Sequence, residues 1–190
     1  MFSFYKKDRI AGYPDSLFRM EESLGLVPNV LMSKEDLVFL YTIIFSKKPS
    51  NVLEIGRLGG ASSLVISGAL ADNETGRLYS VDIVDSLTDT VKRVLDYNSI
   101  LITDSSVNLN TNVTLSNLKF QVFFIDGDHS AEMVINDLFQ CLDLSDSESV
   151  ILCHDASMEG VRKGIDHVSN AVPTLINCGR YGSDIQMLIY

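Results

Sequence analysis

The sequence predicts an α/β fold: a mostly parallel sheet, covered by helices on both faces, that ends in an antiparallel hairpin. Three observations predict it. From residue 51 onward, short apolar strand-like runs alternate with helix-like runs, the pattern of a parallel sheet buried on both sides. The first run, Val52-Leu53-Glu54-Ile55, passes directly into a glycine turn and then into a helix of small residues. The last two runs are joined only by residues 178–184, too short for a crossover helix, so those two strands must be antiparallel.

Taken in order, residues 1 to about 32 read as an N-terminal arm or short helix, with Tyr13-Pro14-Asp15 as a turn signal. Ser33 is a helix cap with Glu35 and Asp36 as first-turn acids, and the helix runs to about Ser46 before Lys47-Lys48-Pro49 ends it. Strands are expected over residues 51–55, 78–83, 100–103, 121–125, 150–153, 174–177 and 185–190. Between them lie a small, apolar helix over 60–71 and a helix over 87–97 with Ser86 as its cap. A further helix carries Ala131, Val134, Ile135, Leu138 and Leu142 as one apolar stripe, and a short one spans 160–169. No repeat or second domain is visible, so residues 1–190 form one domain, with the arm and first helix over 1–48 and the sheet core over 49–190.

The 190 residues suffice for one substantial core, and 46% hydrophobic with 21% charged residues is the composition of a globular protein. A net charge of −10 repels phosphate backbones and anionic lipid, which argues against nucleic acid or membrane partners. The best apolar run, residues 38–45, is only a helix face, and Lys6, Lys7, Asp8 and Arg9 precede any apolar stretch, so neither a membrane span nor a secretory signal is expected. Cys141, Cys153 and Cys178 are odd in number and far apart, which fits reduced thiols in a cytoplasmic protein. In that compartment Asn73-Glu74-Thr75 and Asn112-Val113-Thr114 match the glycosylation pattern by chance.

An open α/β sheet binds its ligand at the carboxyl ends of its strands. The first strand ends in Glu54 and Gly56, followed by Gly59, Gly60 and Ser62, a turn that lets a ligand approach the backbone and offers helix N–H groups to an anion. The dinucleotide fingerprint would need glycine where Leu58 stands. Asp82 ends the second strand 26 residues after Gly56, the range for an acid that grips a ribose; a helix cap is the plainer alternative. Asp104-Ser105-Ser106 follows the third strand, where Asp and Ser are also ordinary caps. The fourth strand leads into Asp126-Gly127-Asp128-His129 and the fifth into His154-Asp155. Neighbouring parallel strands would bring Asp126 and Asp155 into one pocket, and an acid–histidine cluster suits a divalent ion or a proton transfer.

These features resemble the class I S-adenosylmethionine-dependent methyltransferases. That resemblance implies a Rossmann-like seven-stranded sheet in the order 3-2-1-4-5-7-6. The Phe-Ile-Asp-Gly-Asp-His run, Asp137 in the next helix and the His-Asp pair resemble the metal-dependent small-molecule O-methyltransferases, nearest to the macrolide-sugar O-methyltransferase and cephalosporin hydroxylase-like branch. Catechol O-methyltransferase is a more distant likeness. The resemblance covers residues from about 33 to the C-terminus. It implies S-adenosylmethionine as cofactor, with Glu54, Gly56, Gly60 and Ser62 at its methionine end, Asp82 at the ribose, Asp104 and Ser105 beside the adenine, and Asp126 counted among the cofactor residues. It also implies Mg²⁺ or another divalent ion on Asp126, His154 and Asp155, and His129 as general base. His154 departs from an acid in the relatives, and imidazole suits Mn²⁺ or another transition ion better than Mg²⁺. Arg57 and Leu58 depart from the relatives as well.

The expected activity is methylation of a hydroxyl on a small molecule. A nicotinamide-dependent oxidoreductase and a non-catalytic, cofactor-binding member of the fold are the alternatives. His167 and the basic pair Arg162 and Lys163 read as surface residues of the last helix. Tyr5, Tyr13 and Phe18 of the arm fit a substrate lid or packing, and such an arm suggests a homodimer.

Overall fold

The computed structural model describes residues 22–190. Tyr5, Tyr13, Phe18 and the Tyr13-Pro14-Asp15 turn therefore lie outside the described residues.

Helix α1 (Lys34–Lys47) precedes β1 (Asn51–Ile55), α2 (Ala61–Asp72), β2 (Arg77–Asp82), α3 (Asp89–Leu95) and β3 (Ser99–Thr103). A 3₁₀ turn at Ser106–Asn108 leads toward β4 (Phe120–Ile125), α4 (Ala131–Leu144), β5 (Ser145–Cys153), α5 (Glu159–Ala171), β6 (Ile176–Tyr181) and β7 (Ile185–Ile189). The seven strands form one sheet in the order β3-β2-β1-β4-β5-β7-β6. β1 pairs in parallel with β2 and β4, while β7 runs antiparallel to both β5 and β6.

Alternation along the strands divides the core into two layers. Val52, Leu78, Val122, Phe124 and Leu152 face α1 and α2. Leu53, Tyr79, Phe123, Ile151 and Leu188 face the opposite way, into a layer shared with Val134 and Leu138 of α4 and Val161 and Ile165 of α5. Among the described residues, no helix is long and apolar enough to cross a membrane.

The larger departures from the sequence expectation are at α3, β5 and β6, the other element ends shifting by two residues or fewer. Helix α3 starts two residues later, because Thr88 caps it by accepting from the Val91 N–H. Ser86 instead donates its hydroxyl to the Leu58 carbonyl at 2.7 Å and so ties this segment to the glycine turn. β5 starts at Ser145, directly after α4, and a register shift between Phe120 and Val122 absorbs the polar run Asp146-Ser147-Glu148. β6 covers Ile176–Tyr181 rather than residues 174–177, since its register is set by pairing with β7 across a turn over 182–184.

Candidate active site

A cavity of about 620 Å³ opens at the carboxyl ends of β1, β2, β4 and β5. Gly56, Ser62, Asp82, Asp104 and Ser105 line one end of it, and Asp126, His129, His154 and Asp155 line the other.

The first end is built around the turn after β1. Gly56 has φ +85°, and a Cβ there would stand 2.1 Å from the Asp126 carbonyl oxygen, so only glycine permits the β1 and β4 ends to approach. Helix α2 has no side-chain cap. Its first backward hydrogen bond runs from the Leu64 N–H to the Gly60 carbonyl. The N–H groups of its first turn therefore remain for an anionic ligand. Asp82 Oδ2 accepts the Arg57 and Leu58 N–H groups at 2.9 and 3.0 Å, and Oδ1 accepts that of Val84 at 3.0 Å. Burial pushes the Asp82 carboxyl up, but these three donors and the Arg57 charge outweigh it and hold it below its ordinary value. An ionised carboxylate has about four lone-pair sites, so Asp82 retains capacity for a ribose hydroxyl. Asp104 Oδ1 accepts Asn108 Nδ2 and the Ser105 N–H, and Oδ2 accepts Asn112 Nδ2, which fixes the loop after β3.

Two sequence-predicted cofactor residues stand behind the wall rather than in it. Glu54 is fully buried on the α2 side of the sheet. It accepts the hydroxyls of Ser62 at 2.6 Å and of Ser63 and Ser80 at 2.5 Å, because strand parity aims it at α2 and away from the cavity. Burial pushes the Glu54 carboxyl above its ordinary value, against the pull of the three serines. Glu54 thus positions Ser62 and the start of α2, and the Ser62 hydroxyl is already committed to it. Gly60 is likewise turned toward Leu87 and Val91, where a Cβ would meet their side chains at 2.8 and 2.9 Å; Gly59 lines the cavity instead.

At the other end, parallel pairing of Ile125 with Cys153 places the loops after β4 and β5 side by side. His154 Nδ1 lies 3.1 Å from Asp126 Oδ1 and 3.4 Å from Asp155 Oδ2. His129 Nε2 faces the same two oxygens, 3.6 Å from Asp126 and 3.2 Å from Asp155. Asp155 reaches its place from φ +51°, a left-handed conformation that Asp tolerates better than most residues. His129 is set by its neighbours: Asp128 Oδ1 accepts the Ser130 N–H, and Gly160 of α5 comes so close that a Cβ would stand 2.1 Å from the His129 carbonyl oxygen.

His154 is 8% exposed, and its Nε2 lies 3.6 Å from Asp36 Oδ2. Burial pushes its pKa down, but the hydrogen bond to Asp126 and the charges of Asp126, Asp155 and Asp36 outweigh this and raise it to about 9. Asp36 was legible in the sequence only as a first-turn acid. Its carboxylate accepts the Ser33 and Ser183 hydroxyls at 2.7 and 2.6 Å and the Ser183 and Asp184 N–H groups at 2.7 and 3.0 Å. It therefore joins α1, the β6–β7 turn and the histidine. Arg57 is also more than a departure: buried beneath the first end, it donates from Nη1 to the carbonyls of Ser80 and Ile102 and binds the ends of β2 and β3 together. Asn29, Leu31 and Met32 form a wall that no sequence motif announced.

A seven-stranded sheet in this order, with its cavity at the parallel strand ends and a closing antiparallel hairpin, is the architecture of the Rossmann-like methyltransferases. The sequence profile of the methyltransferase domain family matches residues 53–156, more than half of the chain. The protein belongs to that family. Its fold is similar to that of an O-methyltransferase from Bacillus cereus in complex with SAH (TM-score 0.69, 17% identity, covering 95% of this chain and 91% of that one). It is also similar to the O-methyltransferase TomG from Streptomyces achromogenes, involved in tomaymycin synthesis and in complex with SAM (TM-score 0.65, 17% identity, 93% and 88% covered). A third likeness is the SAH-bound methyltransferase PaMTH1 from Podospora anserina (TM-score 0.65, 17% identity, 93% and 88% covered). No curated protein matches the chain.

Proposed function

We propose that this protein is an S-adenosylmethionine-dependent methyltransferase that methylates a hydroxyl of a small molecule with the help of a divalent ion. The observation that carries the reading is one cavity with a nucleoside-type end, Gly56 to Asp82, and an acid–histidine end, Asp126 to Asp155. The Gly56 cradle, the uncapped start of α2 and the remaining acceptor sites of Asp82 fit the methionine and ribose parts of the cofactor. The cofactor supplies an electrophilic methyl group on a sulfonium.

Asp126, Asp155 and His154 offer donor atoms within 4.8 Å of one another, a set that fits a divalent ion. An ion held there would lower the pKa of a hydroxyl bound to it. The remaining work belongs to side chains. Asp82 and the α2 N–H groups orient the cofactor. His129 takes the hydroxyl proton at Nε2, which lies 3.6 Å from Asp126 Oδ1 and 3.2 Å from Asp155 Oδ2.

Calorimetric titration of S-adenosylhomocysteine into the purified chain tests the cofactor. Micromolar-class binding supports the reading, and no binding with or without added ion overturns it. Transfer of labelled methyl to a panel of small hydroxyl compounds then separates an enzyme from a binding protein. In that assay His129→Ala is expected to lose about 100-fold or more in rate.

A further inference from the structure

We propose that Arg57 is a positioning residue for the ribose end of the cavity: its buried guanidinium clamps the ends of β2 and β3 from behind, and this clamp holds Asp82 where it can receive a ribose hydroxyl. The inference rests on the cofactor reading above and deepens it.

Three observations carry it. Arg57 grips the site with both its backbone and its side chain. Its N–H donates to Asp82 Oδ2 at 2.9 Å. Its Nη1 donates to the carbonyls of Ser80 at 2.9 Å and Ile102 at 2.8 Å, and Nη2 reaches Thr103 Oγ1 at 3.4 Å. Ser80 and Ile102 each stand two residues before an acid of the cavity wall, Asp82 and Asp104, and Asp82 pairs with Thr103 in the parallel register. One planar fork therefore sets the spacing between the two strand ends that carry these acids.

The clamp is also costly. Arg57 is 3% exposed, its side chain donates to carbonyls and a hydroxyl rather than to a carboxylate, and among the described residues its Nε has no partner. Buried guanidinium groups are ordinarily paired with a carboxylate, and folds depart from such rules chiefly at functional sites.

The third observation lies in the next residue. Leu58 takes φ +42°, a left-handed conformation uncommon for a residue with a Cβ. Asp82 Oδ2 holds it there by accepting its N–H at 3.0 Å, and the Ser86 hydroxyl donates to its carbonyl. Strain of this kind persists only where the surroundings over-determine it. The turn is thus wrapped around the same carboxylate that the clamp supports.

The test measures, by calorimetry on the full chain, the affinity for S-adenosylhomocysteine and for its 2′-deoxy and 3′-deoxy analogues. The unmodified chain is expected to prefer the parent ligand over at least one analogue by about tenfold or more, the worth of a hydrogen bond to a charged group. Arg57→Met is expected to bring that preference within about threefold. A substitution that only loosens the fold would weaken every ligand by the same factor and keep the preference. If Arg57→Met does not fold, as judged by circular dichroism, Arg57→Lys decides. Lysine keeps the charge but has no planar fork to span both carbonyls, so the preference should again fall by about threefold or more. An unchanged preference in the variant that folds, or a preference below about threefold in the unmodified chain, would overturn the inference. Binding of S-adenosylhomocysteine with an unchanged preference sinks the clamp alone, whereas no binding by the unmodified chain sinks the methyl-transfer reading and the clamp with it.

Discussion

At Asp36 burial and hydrogen bonding pull in opposite directions. Burial pushes the carboxyl up, but hydrogen bonds from Ser183, Ser33 and the Asp184 and Ser183 N–H groups hold it at about 2, below the ordinary 3.8. A depressed folded pKa gives stability that is complete above pH 4 and is lost as the pH falls toward 2. Asp36→Asn should therefore cost on the order of 2 kcal/mol at neutral pH, and the difference from the unmodified chain should shrink between pH 4 and 2 in denaturant titrations. Glu54 invites a sharper substitution. Glu54→Ala would leave the hydroxyls of Ser62, Ser63 and Ser80 without their acceptor. The expected loss is about 3 kcal/mol of unfolding free energy, read by urea denaturation; a loss below about 1 kcal/mol would mean that the serines find other partners. Asp82→Asn should leave the fold standing and weaken S-adenosylhomocysteine by roughly 10- to 100-fold, the worth of one charge-assisted hydrogen bond. These residues were legible to different degrees. Asp82 announced itself by its distance from Gly56. Asp36 did not, because an acid three residues after Ser33 already has a sufficient local explanation as part of a helix start.

Among elements, the turn between β1 and α2 tolerates least. Gly56→Ala combines a left-handed φ with a Cβ 2.1 Å from the Asp126 carbonyl oxygen, and it should separate the β1 and β4 ends, costing about 2 kcal/mol or more together with cofactor binding. Calorimetry and thermal melting check both losses. The two candidate caps of α3 give a direct comparison: Thr88→Ala should cost about 1 kcal/mol, and Ser86→Ala distinctly less unless its bond to the Leu58 carbonyl steadies the turn. The sequence carried the elements well where apolar runs were bounded by breakers, as at β1, β4 and α4. It carried them poorly where pairing rather than composition sets the limits. The polar start of β5 and the Gly179-containing β6 are strands because β4 and β7 supply partners, and no local pattern encodes that.

For the whole molecule, cofactor and fold should be linked. S-adenosylhomocysteine at about 100 times its Kd should add roughly 2.7 kcal/mol of stability, read as a rise in melting temperature of several degrees. The parallel sheet followed from the alternation of strand-like and helix-like runs and the closing hairpin from the short connection over 178–184, both visible in one dimension, whereas the strand order followed from the family resemblance. The cavity's third wall, Asn29 to Met32, was not visible, since its residues bear no motif and act only by where the chain passes. The same holds for the clasp between Asp36 and Ser183, whose partners lie 147 residues apart. Closing so long a loop is entropically expensive, and contacts of such sequence separation form late. Refolding from denaturant should consequently regain helical dichroism before it regains the ability to hold a ligand. The acid–histidine end of the cavity would become competent only when the final hairpin docks onto the first helix, which makes ligand binding a reporter of the last event in folding.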